Sequence, residues 1–400
     1  MKKMLVLTPR LPYPVIGGDR LRIVQLCEAL SESFKLTLLS FCESREECQA
    51  QIPNDLFSEV HRIYLPRWKS YFNVLTALIG SEPLQIAYYR SAKFREKLEE
   101  LISGCDVVLA HLIRTGQYLV GRDDVPYVLE MTDAISLNYS RMLNDRVAPS
   151  IKKTIFALEF ARLREYEIKI IHQAPLVWLV SETDKLFLDS RPISTVEIIR
   201  NSVDLHSFPF NPVPSGGDTI AFIGNMDTAQ NQDACLYFIR SILPMVRARE
   251  MLKFRIVGNA SKRVAKMFRK YEGVEVTGRV DEIRNAIDSK VFCGVCPVQA
   301  GAGIQNKVLN YLALGLPCIV SRVGVEGIDA EPGRDLLVFN DAEEAARQVL
   351  AVYYDSDLRT RLAFAGRKAV EEGFSVQALK ETIVGSVSRL LDANSISRLT

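Results

Sequence analysis

Lys307 lies in a segment, Cys296–Arg322 (CPVQAGAGIQNKVLNYLALGLPCIVSR), whose residue types suit one task, holding a diphosphate. The apolar run Val291–Cys296 predicts a buried strand, which opens into the small-residue loop Gly301-Ala302-Gly303. A helix follows, with apolar positions at Val308, Leu309, Leu312 and Ala313, and Gly315 with Pro317 stops it. Glycines let a backbone approach a ligand closely, and the amides of a helix start attract anions. Lys307, one turn into the helix, adds a cation where a phosphate would lie. The spacing is neither a Walker loop nor GxGxxG, so this chemistry rests on residue types and not on a signature.

Other candidates stand at the ends of apolar runs. His111, one of four histidines, follows Asp106–Ala110. It reads either as a satisfied structural histidine or as a reacting group, since sites gather at the carboxyl ends of parallel strands. Glu130 and Asp133 flank Met131-Thr132 after Tyr127–Glu130. Asp133 is either the N-cap of a helix over 134–143 or an acceptor-side carboxylate. Gly17-Gly18-Asp19-Arg20 follows the first strand. Its glycines can offer amides to a ligand, or the loop is a plain turn in which Asp19 caps the helix. Asn225 and Asn259 follow two later strands and can bond ligand oxygens or simply turn the chain. Backbone at Arg279-Val280 is placed to read a nucleobase edge. No histidine–carboxylate set has metal-ligand spacing and no GxSxG elbow occurs, so no metal site is expected.

Short apolar runs alternate with helical patterns along the whole chain, the mark of parallel sheets covered by helices. The expected strands are 4–8, 35–41, 60–65, 106–110, 127–130, 175–180 and 196–199, then 219–224, 253–258, 274–277, 291–296, 317–321 and 336–339. A long helix is expected over 151–172 and a last one over 375–391. Between the two sets lies Phe208-Pro209-Phe210-Asn211-Pro212-Val213-Pro214-Ser215-Gly216-Gly217, which reads as a linker. This predicts an α/β protein of two doubly wound domains facing each other across a cleft.

Composition narrows the function classes. Fifty basic against 48 acidic residues, balanced in both halves, argues against a nucleic-acid partner. Eight cysteines without a pairing pattern point to a reducing compartment. Cys293 and Cys296 form a CxxC within a strand, where positions i and i+3 face opposite ways, so they read as buried thiols. Lys2-Lys3 is followed by four apolar residues before Thr8-Pro9, too few for a signal peptide, and no apolar run is long enough to span a membrane. The expected location is cytoplasmic. Pro66–Gly80 repeats Trp68, Tyr71, Phe72, Leu75, Leu78 and Ile79 at helical spacing, with Arg67 and Lys69 beside them. That helix either packs on the first domain or rests weakly on a membrane surface at the inner face.

The residues in this order resemble a bacterial family 4 glycosyltransferase of the GT-B fold, of the kind that builds surface polysaccharides. The resemblance covers nearly the whole chain. It runs through TPRLPYPVIGGDRLR, EPLQIAYYRS (82–91), TDAISLNYSR (132–141), LVSETDKLFL (179–188), IIRNSVDLHSF (198–208), FIGNMDTAQNQDA (222–234), the glycine loop and PGRDLLV (332–338). It implies a Rossmann-like acceptor-side domain over 1–205, a linker over 206–217 and a nucleotide-sugar domain over 218–375, with a C-terminal helix over 376–400 crossing back to the first domain.

The implied reaction is retaining transfer from a nucleotide-diphosphate sugar to a glycan or lipid-linked acceptor, without a cofactor. By the same resemblance His111 is the catalytic residue beside the donor sugar. The donor would be held by Gly17, Gly18, Asn225, Arg279, Val280, Gly303, Ile304, Gln305, Asn306, Lys307 and Asn310, with Arg20, Glu130 and Asp133 on the acceptor side. The chain departs from the family pattern where two glutamates eight positions apart are replaced by Ala302 and Asn310. A basic pair is also replaced, by the neutral stretch Asn225–Gln232. These departures imply an alternative, a non-catalytic glycosyltransferase-like nucleotide-binding or scaffold protein.

Overall fold

The computed structural model describes residues 1–15, 17–52, 55–143, 150–191, 193–212, 217–280, 282–299 and 304–397. Among these residues the chain forms two wholly parallel sheets. The first contains β1 (Lys2–Thr8), β2 (Phe34–Cys42), β3 (Glu59–Tyr64), β4 (Val107–His111), β5 (Tyr127–Thr132), β6 (Leu176–Leu179) and β7 (Val196–Ile198), in the order β3-β2-β1-β4-β5-β6-β7. The second contains β8 (Thr219–Ile223), β9 (Lys253–Val257), β10 (Val274–Gly278), β11 (Val291–Cys296), β12 (Cys318–Ser321) and β13 (Leu337–Phe339), in the order β10-β9-β8-β11-β12-β13. Helices follow most strands and cover the sheets. The central strands are therefore buried along their length, which is why they read as apolar runs without alternation. In each sheet the strand order reverses once, between β1 and β4 and between β8 and β11. Ligands collect beyond the carboxyl ends of strands at such a reversal.

The chain divides into two compact units, 1–200 with 379–400, and 201–378. The helix Val376–Ser397 runs beyond the expected end at Leu391, since Asp392, Ala393 and Asn394 contain no helix breaker. Its residues Leu379, Ile383, Val387 and Leu391 join the first unit's core beside Leu26, Leu36 and Trp178. Each such burial contributes about 1.5–3 kcal/mol. Trp178 fixes the docking by donating its Nε1–H to Ser386 Oγ at 2.9 Å.

The described part of the expected linker, residues 206–212 and 217, folds with the second unit, and residues 213–216 lie outside the described residues. Asn211 N–H donates to Leu314 O, and Phe210 meets the Phe364 ring edge-on. Arg367 lies over Phe210 and donates to the carbonyls of Phe208 and Ala313. Proline removed the periodicity from this stretch, but its aromatic residues anchor it as extended chain. Gly315 is required here, because its φ is +73° and a Cβ would come within 2.5 Å of Phe210. The unit boundary consequently falls at Arg200, ahead of the proline-rich stretch.

Among the described residues no helix is long and apolar enough to cross a membrane. The Arg67–Ala77 helix packs inward through Ser70 and Ala77, and its large apolar residues face outward. The helix thus packs on the first unit, with its apolar stripe on the outer side.

Candidate active site

In the first unit the parallel register sets His111 on β4 directly beside Glu130 on β5. Both are buried. His111 Nδ1 lies 2.6 Å from Glu130 Oε2. Arg22 Nε donates to Glu130 Oε1 at 3.3 Å, and the Thr132 hydroxyl donates at 3.0 Å. Arg22 is itself fixed by the carbonyls of Ile199 and Arg200, at 2.6 and 2.7 Å. Burial pushes the Glu130 carboxyl upward, but His111, Arg22 and Thr132 outweigh it and hold the pKa below the usual carboxylate range. An ionised carboxylate only accepts, so His111 carries its proton on Nδ1 and its ring orientation is set. This is the arrangement by which a buried carboxylate aims a catalytic imidazole.

The backbone is strained at this point. Leu112, just after β4, and Thr132, the last residue of β5, have φ of +66° and +65°. Such conformations cost about 1–3 kcal/mol apiece and persist where the surroundings enforce them. Thr132 thereby brings its hydroxyl onto Glu130.

Two residues expected on the acceptor side are engaged within the protein. Glu130 is fully buried, and its oxygens are taken by His111, Arg22 and Thr132. Arg20 is tied to Glu47 at 3.0 Å and to the carbonyl of Pro14, which uses it to brace the loop. The helix Gly18–Ser31 starts from Gly17, at φ +100°, with no side-chain cap; Asp19 sits in its first turn and pairs with Arg10.

Asp133 is not a helix cap. Asp184 accepts from Ala134 N, and Glu167 accepts from the amides of Ile135 and Ser136 and from the Ser136 hydroxyl. Burial, then Asp184, pushes the Asp133 carboxyl up to about 7, against the pull of Arg114. Glu167 is pushed up to about 8, chiefly by burial. A carboxyl whose folded pKa is raised stabilises the fold while protonated and loses that contribution as pH rises through the folded value. Glu167→Gln is therefore expected to gain stability relative to wild type progressively from pH 4.5 to 8. Urea unfolding at both ends of that window checks it, and a difference independent of pH would contradict it.

A cavity of about 270 Å³ opens in the same unit, lined in part by Arg10, Tyr88, Tyr89, Arg114 and Tyr139. Arg114 donates twice to Gln85 Oε1, at 2.8 and 3.2 Å, and Gln85 Nε2 donates to Tyr139 Oη at 3.0 Å. Glu159 holds the amides of Leu84 and Gln85 and so fixes the Leu84–Tyr88 turn.

In the second unit the helix Asn306–Leu314 is held to the ends of β8 and β11 by Tyr311. Its hydroxyl accepts from Ile223 N at 2.8 Å and donates to Val295 O at 3.2 Å. Gly294 is needed in β11 because a Cβ there would strike the Tyr311 ring. Lys307 therefore stands in the first turn at the strand reversal, its Nζ 2.9 Å from Gln305 Oε1 and 5.3 Å from the Phe222 ring centroid. Asn306 Oδ1 accepts from Asn201, Ile304 and Gln305 are buried, and Asn310 is half-buried on the same helix.

Gly303 and the rest of the 300–303 loop lie outside the described residues. Asn225 Oδ1 accepts from Asp227 N at 3.1 Å, so that oxygen closes a turn. Arg279 is exposed after β10, and Val280 lines a second cavity with Thr277 and Asn285. Cys293 and Cys296 are fully buried free thiols. Among the described residues no group of three His, Cys, Asp or Glu has metal-binding geometry.

Residues 217–355 match the family Glycosyl transferases group 1. An uncharacterized 44.6 kDa protein in the cps region of Klebsiella pneumoniae is 21% identical over 96% of this chain and 99% of its own length. Sucrose-phosphate synthase from Thermosynechococcus elongatus superposes with a TM-score of 0.74 at 16% identity, over 98% of this chain and all of that one. The Anabaena protein HepE in complex with UDP gives 0.65 at 12%, over 97% and 100%. The group 1 match thus lies in the second unit, and the fold along the chain's length is that of the GT-B structures.

Proposed function

We propose that this chain is a glycosyltransferase that moves a sugar, with retention, from a nucleotide-diphosphate sugar to a glycan or lipid-linked acceptor in surface-polysaccharide biosynthesis. The observation that carries the reading is the buried Arg22–Glu130–His111 set at the carboxyl ends of β4 and β5. It supplies one oriented imidazole for the transferred sugar. The second unit supplies Lys307 and a helix start for the diphosphate, whose negative charge grows as the bond to the sugar breaks. Arg279 and Val280 serve the base, Gly303 and Asn310 the phosphates and ribose, and Asp133 the acceptor. The similarity to a cps-region protein and to a UDP-bound structure supports the polysaccharide context and the donor class. The enzyme works on the cytoplasmic side, at a membrane surface.

Transfer is metal-independent in this reading, because Lys307 and the helix amides provide the charge. Turnover is expected to survive saturating EDTA. Loss in the chelator, with recovery on adding magnesium or manganese, would overturn that part. The anomeric configuration of the product, read by NMR, tests retention.

A further inference from the structure

Neighbouring strands of the first unit end in a row of polar residues. Met4 and Val6 on β1, Val107 and Leu109 on β4, and Val128 on β5 all enter one core. Side chains alternate between the faces of a strand, so Thr8, His111 and Glu130, two positions further along, lie on that same face. The register sets them side by side. Leu7 pairs with Ala110, one step before Thr8 and His111, and His111 pairs with Glu130. The Thr115 hydroxyl braces the two strand ends, 2.7 Å from His111 O and 3.5 Å from Leu7 O.

The neighbours in this row are satisfied within the protein. Glu130 has His111, Arg22 and Thr132, and Ser40, which pairs with Thr8 from β2, donates to Phe41 O at 2.9 Å. Thr8 is 1% exposed, and its hydroxyl has no hydrogen-bond partner among the described residues. A buried hydroxyl left unbonded destabilises a fold, and native proteins keep few of them. This one stands beside the imidazole. His111 turns its Nδ1 proton to Glu130, which leaves Nε2 as an acceptor, while the Thr8 hydroxyl can donate. Adjacent strands lie about 4.8 Å apart, so one ligand group can meet both side chains. The group that satisfies both is a hydroxyl, whose oxygen accepts from Thr8 and whose proton goes to Nε2.

We infer that Thr8 and His111 together grip one hydroxyl of the transferred sugar, which makes Thr8 a specificity-determining residue. This rests on the transferase reading and narrows its donor to sugars that carry that hydroxyl. The two side chains are neighbours, so a sugar admitted to His111 is admitted to Thr8.

The probes are UDP-glucose, UDP-N-acetylglucosamine and GDP-mannose, each with its singly deoxygenated sugar analogues. They are offered to wild type, Thr8→Val and Thr8→Ser, and release of nucleoside diphosphate is read. With a donor that wild type uses, one analogue is expected to lose on the order of a hundredfold in kcat/KM, since it forfeits both bonds. Thr8→Val keeps the side-chain shape and is expected to lose on the order of tenfold on the parent donor and nothing further on that analogue. Thr8→Ser should stay within about threefold of wild type on both. The melting temperature of Thr8→Val is expected to be unchanged or raised, because the hydroxyl it deletes has no partner.

Equal losses on parent and analogue in Thr8→Val overturn the inference, as does a wild type indifferent to every analogue. A Thr8→Val that melts lower does so too, since the hydroxyl would then serve the fold. Wild type that releases nucleoside diphosphate from none of these donors overturns the transferase reading on which the inference stands.

Discussion

Replacing His111 with alanine is expected to lower turnover by about 10²–10³-fold, the usual loss on removing one positioned polar group from a transition state. Donor affinity should stay within roughly twofold, because the proposed function gives the imidazole to the sugar and not to the nucleotide. Glu130→Gln should follow the same pattern more weakly. It keeps the volume but removes the acceptor charge that fixes the Nδ1 proton, and leaves Arg22 buried without its carboxylate. The pair of variants is informative because a structural histidine gives a different result. His111→Ala would then melt earlier and turn over normally once folded, and initial rates read beside melting curves separate the two.

Lys307→Ala is expected to weaken donor binding by about 1.5–3 kcal/mol, the worth of a charge-assisted hydrogen bond. In dissociation constants that is roughly 10–150-fold. The fold should not suffer, because the side chain is half-buried and its contacts are one bond to Gln305 and the face of Phe222. Calorimetric titration with nucleotide sugars measures the change, and unchanged affinity would remove Lys307 from the diphosphate site.

Fully buried parallel strands announce themselves as apolar runs, so both sheets and the strand ends carrying His111 and Lys307 were legible without coordinates. The partnership of His111 with Glu130 was not. It depends on the register of two strands, and no local pattern encodes that. Arg22 left a fainter signal, since it lies in phase with the buried Leu26 and Ala29 on its helix, yet a charge there reads as solvated until Glu130 is placed opposite. Periodicity likewise found the apolar face of Arg67–Ala77 but could not say which side of that helix meets the protein. The unit boundary was misplaced for a related reason. Prolines at 209 and 212 suggested free chain, and only the contacts of Phe210 with Phe364 and Arg367 assign the segment to the second unit.

In the proposed function an oriented His111 makes this chain a working transferase and not a nucleotide-binding scaffold. Release of nucleoside diphosphate from a panel of nucleotide sugars, followed with wild type and His111→Ala, tests it most directly. Wild type is expected to release it from at least one donor and the variant almost none, with donor binding intact in both. Tight donor binding with no release by wild type, whatever acceptor is offered, would contradict it.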